Sequence, residues 1–90
     1  MNEERIIMIP FIGECIFQVN TDTEEPTGMY RNKDEVEENS QELQWLNNKD
    51  EKDLCDKNNY EEGVNGLYLH AKHLDFVKRI WAYCDFNGLI

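Results

Sequence analysis

The side chains best suited to chemistry are two histidines, three cysteines and nineteen carboxylates in ninety residues. His70 and His73 stand three apart, a spacing that puts both on one helical face and lets such a pair share a metal ion. A zinc site would also need Cys55 or Cys15, each distant in the chain. The second closely spaced ligand pair that makes the signal specific is missing. The pair therefore reads as locally hydrogen-bonded histidines at the edge of an apolar face, with metal binding through His70, His73 and cysteine as an alternative.

Cys15, Cys55 and Cys84 are odd in number and contain no CxxC pair, so neither a disulfide framework nor a zinc knuckle is indicated. A buried thiol without a cationic neighbour is inert. Carboxylates are too numerous for any two to stand out as an acid/base pair, which needs two divergent environments. "DKNNYEEG" lacks the glycine and the terminal glutamate of an EF-hand loop. Ser40, the only serine, has no elbow glycines, and the five glycines are scattered with no phosphate-cradling motif. Nothing in the chain argues for an enzyme, and no cofactor or metal is expected.

Charge is the dominant property, −10 overall with a pI near 4.5. Residues 21–62 carry fourteen acids against five bases, a net −9, whereas residues 1–20 and 63–90 are nearly balanced. A protein that grips phosphates does so with Lys and Arg, so direct nucleic-acid binding is disfavoured. The mirror image fits: a surface of closely spaced carboxylates can occupy a basic groove built for DNA or RNA, steered there over a Debye length of about 8 Å.

The elements that must position these groups follow from hydrophobic patterning. Arg5–Asn20 is rich in Ile, Phe and Val and reads as β structure. "PFIG" inside it reads as a turn between two strands or a bend in one. Cys15, Phe17 and Val19 form one apolar face. "NTDTEEPTG", Asn20 to Gly28, has loop composition, and "MYR" can add a short strand. Asp34 is placed as a helix N-cap with Glu37 three residues on. Its helix runs either continuously to Asn48 or in two pieces broken at Asn39. Residues 47–59 read as polar loop with one helical turn at most.

The clearest element is a helix over His73–Asp85. Phe76, Val77, Ile80, Trp81 and Cys84 share a continuous apolar arc, and Gly88 supplies its left-handed stop. For residues 65–72 a long helix capped by Asn65 and beginning at Gly66 competes with an Asn-Gly hairpin between short strands; the missing cap between Leu67 and Leu74 tips the reading toward helix.

Trp45 is the open question within the acidic run. In a continuous helix it lies about 160° from Leu43, among Glu38, Gln41 and Glu42, where an exposed aromatic ringed by polar groups is a binding anchor. A break at Asn39 would turn it into the core.

The expected architecture is a single α+β domain spanning residues 1–90. An N-terminal β hairpin or antiparallel sheet packs on the C-terminal amphipathic helix, and an acidic, partly helical middle segment lies outside. The N-terminus opens with acids in place of a basic leader region, and no stretch reaches the 18 or so apolar residues of a membrane span. A soluble, cytoplasmic protein is the expectation.

Size and charge together suggest a small inhibitor that blocks the basic groove of a nucleic-acid-handling host protein by charge mimicry, such as a phage anti-CRISPR or other anti-defence factor. The expected contacts are Asp34, Glu35, Glu37, Glu38, Glu42 and Trp45, with Asp50, Glu51, Asp53 and Asp56 secondary. An immunity protein or antitoxin neutralising a basic nuclease toxin is the alternative. The two readings share their physics and differ only in the partner.

Overall fold

The structure is a computed structural model that describes residues 1–10, 12–39, 54, 56–63, 67–69 and 74–90, and only the backbone of residues 38, 39 and 67–69. Three long antiparallel strands organise it: β1 (Asn2–Ile9), β2 (Gly13–Asn20) and β3 (Glu25–Asn32). Helix α1 (Lys33–Asn39), a 3-10 turn (Lys57–Asn59), the short strands β4 (Glu61–Glu62) and β5 (Leu67–Leu69), and helix α2 (Leu74–Phe86) follow. The sheet order is β1-β2-β3-β5-β4.

The period-2 pattern decides which face is buried. Ile7 and Ile9 of β1, Cys15, Phe17 and Val19 of β2, and Met29 of β3 all point inward. They meet Phe76, Val77, Ile80 and Cys84 on α2. Removing a side chain such as Val77 or Ile80 from water stabilises by about 1.5–3 kcal/mol. Trp81 closes one side of this layer, its ring meeting Phe17 edge-on at 5.1 Å and 65°. The expected helix and its stop both hold: Gly88 has φ of 71°, and the Leu89 N–H returns to the Cys84 carbonyl at 2.9 Å.

"PFIG" is a turn between two strands, closed by the Ile12 N–H on the Ile9 carbonyl at 3.0 Å. Gly13 then leaves it with φ of 104°, a conformation open to glycine.

Three expectations need correction. First, the Asn20–Gly28 loop is confined to residues 21–24, a tight reversal that Asn20 organises and Glu24 completes with φ of 57°, its N–H on the Asn20 carbonyl at 2.8 Å. The Asn20 side-chain oxygen accepts from Asp22 and Thr23, at 2.8 and 3.3 Å. From Glu25 onward the chain is strand despite Pro26 and Gly28, because the β2–β3 register shifts between Gln18 and Val19. Such a bulge accommodates a residue with no N–H to donate.

Second, residues 67–69 are strand, not the start of a long helix. They pair with β3 at Tyr30↔Leu69, Arg31↔Tyr68 and Asn32↔Leu67, and β4 pairs beyond them. The backbone groups along that side of β3 require partners, and the local capping signals carried no information about this need.

Third, α1 begins two residues earlier than expected. Asn32, not Asp34, caps it, its side-chain oxygen accepting the Asp34 N–H at 2.9 Å. Asn is among the best cap residues.

Candidate protein-binding surface

Alternation along β3 puts Met29 inward, Tyr30 outward and Arg31 inward again. Arg31 is completely buried. Its Nη2 donates to the Ile12 carbonyl at 2.7 Å, and Nη1 donates to the Leu54 carbonyl. Tyr60 donates its hydroxyl hydrogen to the same Leu54 carbonyl at 2.9 Å, and its ring lies 5.8 Å from the guanidinium. Arg31 thus fastens the β1–β2 turn and the far end of the acidic segment to the middle of the sheet. Composition alone could not flag it; the inward parity it shares with Met29 could.

The acidic surface begins immediately after this anchor. Val36 is fully buried and fixes the rotation of α1, which leaves Asp34 and Glu37 exposed. Both acids in the first turn, Asp34 and Glu35, complement the positive end of the helix dipole. Glu35 also braces the β1–β2 turn. Its Oε2 accepts the Glu14 N–H at 3.2 Å, and its carboxylate lies against Gly13. Glu38 belongs to the backbone of α1. Asp56 caps the 3-10 turn, its Oδ1 accepting from Asn58 N–H at 3.0 Å.

Two carboxylates not singled out in the sequence join this surface. Glu61 and Glu62 are exposed on β4, and Glu62 reaches Lys33 at the start of α1 at 3.7 Å. The fold therefore brings the start of α1, at Lys33, beside Glu62 of β4, a juxtaposition that no local pattern encodes. The remaining expected contacts, Glu42, Trp45, Asp50, Glu51 and Asp53, lie outside the described residues, as do His70, His73 and Cys55.

A second surface lies on the sheet face turned away from α2. Ile6, Ile16 and Tyr30 are register partners in one row across β1, β2 and β3. Ile6 is 63% exposed and Met8, beside it on the same face, 61%. The row is framed by carboxylates. Glu4 lies on one side, bound to Gln18 Nε2 at 3.0 Å, and Glu14, the partner of Met8, on the other.

Arg5, the only base in the first twenty residues, points to the opposite face. It binds Glu3 at 2.7 Å through Nε and Glu24 at 2.8 Å through Nη2, with its guanidinium 5.9 Å from the Trp81 ring. Its hydrogen bonds to Glu24 and then Glu3 hold its pKa above the ordinary arginine value.

Cys15 and Cys84 are buried and not disulfide-bonded. Burial pushes the Cys84 thiol up to about 11, so it is protonated and unreactive at neutral pH. Among the described residues no group of three His, Cys, Asp or Glu side chains is placed to hold a metal ion, and no helix is long and apolar enough to cross a membrane. No family model, curated protein or solved structure matches the chain.

Proposed function

We propose that the protein is a small acidic inhibitor that occupies the basic nucleic-acid-binding groove of a host protein, in the manner of a phage anti-CRISPR or related anti-defence factor. The observation that carries this reading is the concentration of charge: fourteen acids against five bases in residues 21–62. Solubility alone does not require such clustering. The exposed positions of Asp34, Glu37, Glu61 and Glu62 support it, since they present negative charge to solvent, where the Lys and Arg side chains of a phosphate-binding groove would meet it. Long-range attraction would bring the partners together quickly, and salt would weaken the attraction.

The experiment is a capture from host lysate at low and high salt, followed by competition. The captured protein is purified and given fluorescently labelled duplex DNA or RNA. The acidic protein should displace the nucleic acid at low salt, and less well as salt rises. A partner that binds its nucleic acid equally well with and without saturating inhibitor overturns the reading.

A further inference from the structure

The C-terminal stop of α2 joins two groups that can react with each other. Of the ten asparagines in the chain, Asn65 and Asn87 alone precede a glycine. A side-chain amide in that position is open to attack by the next main-chain nitrogen, because glycine has no Cβ to shield it. Asn65 lies outside the described residues. Asn87 is exposed, and Gly88 has φ of 71° with nothing within 4 Å of the place a Cβ would take. The left-handed stop favours glycine at 88, so the fold itself supplies the unshielded neighbour.

We propose that Asn87 is a site of spontaneous modification, where the Gly88 nitrogen closes on the Asn87 side chain to give aspartate and isoaspartate at a rate set by the helix stop. Hydroxide takes the proton from the Gly88 nitrogen, which attacks Asn87 Cγ. The new N–C bond forms as the Cγ–Nδ2 bond breaks, and Nδ2 leaves as ammonia with a proton from water. Water then opens the cyclic imide at either of its carbonyls, giving aspartate or isoaspartate.

Both reacting groups are occupied in the folded chain. Asn87 Nδ2 donates to the Tyr83 carbonyl at 2.8 Å, and the Gly88 N–H donates to the Asp85 carbonyl at 3.2 Å. Leu89 keeps the turn shut, its side chain packed against the core and its N–H on the Cys84 carbonyl at 2.9 Å. Ring closure has to break the first two bonds. It therefore proceeds from the frayed end, and chain ends are the parts of a fold that open most readily.

The product weakens the stop that slowed its formation. A carboxylate replaces the amide donor that met the Tyr83 carbonyl. Its charge falls beside Asp85 at the negative end of the helix dipole, and the last turn of α2 has no base to offset it. Isoaspartate also lengthens the main chain by one carbon at residue 87, which moves the Leu89 N–H out of register with Cys84.

The test uses the full chain carrying Asn65→Gln, so that Asn87 alone precedes a glycine. The protein is incubated folded and in urea, at neutral and mildly alkaline pH, then digested and mapped by mass spectrometry with the two isomers separated. Residue 87 should gain one mass unit as both isomers, in proportion to hydroxide, and roughly tenfold more slowly when folded. Gly88→Ala should slow the reaction in urea, where folding plays no part. Leu89→Ala, with the other α2 amides still protected, should raise the folded rate several-fold and leave the urea rate unchanged. Asn87→Asp should speed amide exchange at Leu89 several-fold.

A folded chain that gains no mass at residue 87 while the urea sample converts would overturn the site. Aspartate without isoaspartate would overturn attack by the Gly88 nitrogen. Equal rates in the folded and urea samples, or a folded rate indifferent to Leu89→Ala, would overturn the role of the helix stop. Each of these outcomes is independent of the partner and of the groove reading.

Discussion

The buried guanidinium of Arg31 donates to the main-chain carbonyl of Leu54 across 23 residues of sequence. Replacing Arg31 with Met leaves the Leu54 and Ile12 carbonyls without this donor inside the protein. An unsatisfied buried polar group costs about 1–3 kcal/mol, so Arg31→Met should destabilise by roughly 3 kcal/mol or more. That is a large share of a ninety-residue domain's stability. Tyr60→Phe removes only one hydroxyl from the same carbonyl and should cost about 1 kcal/mol. Urea titration measures both; an Arg31→Met protein within experimental error of the parent would contradict the assigned role.

Gly13 makes a separate prediction at the β1–β2 turn. Its φ of 104° is strained for any residue with a Cβ, and an added Cβ would stand 3.1 Å from a Glu35 carboxylate oxygen. Gly13→Ala should therefore lose about 1–3 kcal/mol and disturb the Glu14 amide that Glu35 accepts. Amide exchange at Glu14 reads the local effect, and thermal unfolding reads the global one. Gly13→Ala in a Glu35→Ala background should recover part of the loss, because the close neighbour is gone.

Cys84 makes the fold sensitive to alkali. Its thiol titrates at about 11 in the folded protein against 9.0 for an ordinary cysteine, so between these values the folded state holds a proton that the unfolded state has released. Stability from this group is complete below pH 9 and declines as pH rises toward 11, by roughly 2–3 kcal/mol in all. Cys84→Val removes the titration and should flatten that limb of the pH–stability curve. An unchanged curve for Cys84→Val would assign the alkaline loss elsewhere.

Charge reversal at the exposed positions Asp34 and Glu37 addresses the acidic surface directly. Asp34→Lys with Glu37→Lys should slow association with the captured partner about tenfold and flatten its dependence on salt. Trp45→Ala should act differently, chiefly by speeding dissociation. Stopped-flow association at several ionic strengths separates the two effects. Rates insensitive to both salt and charge reversal would remove electrostatic steering as the basis of recognition.

What was legible in the sequence depended on how locally each element is determined. The arc of Phe76, Val77, Ile80, Trp81 and Cys84 is a one-helix property, and it located α2 to within a residue at each end. The alternation of Cys15, Phe17 and Val19 likewise found the buried face of β2. Only the "MYR" half of β3 was visible, because Pro26 and Gly28 resemble loop composition, and only the bulge opposite Gln18 and Val19 makes them tolerable in a strand. β5 was legible only as the less favoured hairpin alternative, because its reason to be extended lies in the pairing needs of β3.

The candidate surface divides in the same way. Exposed Asp34 and Glu37 could be anticipated from their polarity beside the apolar Val36 on one short helix, although the cap itself was misplaced. The arrival of Glu62 beside Lys33 could not, being a consequence of tertiary topology. Composition alone could not place Arg31 inside, since a lone arginine is ordinarily a surface residue, and only its shared parity with Met29 on β3 points inward.

The tie from Arg31 to Leu54 closes the intervening chain into a loop that holds eight acids and three bases. Like charges gathered in a closed loop repel one another, and unfolding lets them separate. Added salt screens that repulsion and should strengthen the fold under the same conditions that would loosen the proposed grip on a basic partner. The molecule would then be most tenacious as a binder where it is least robust as a structure, and a cationic partner would relieve the repulsion on arrival.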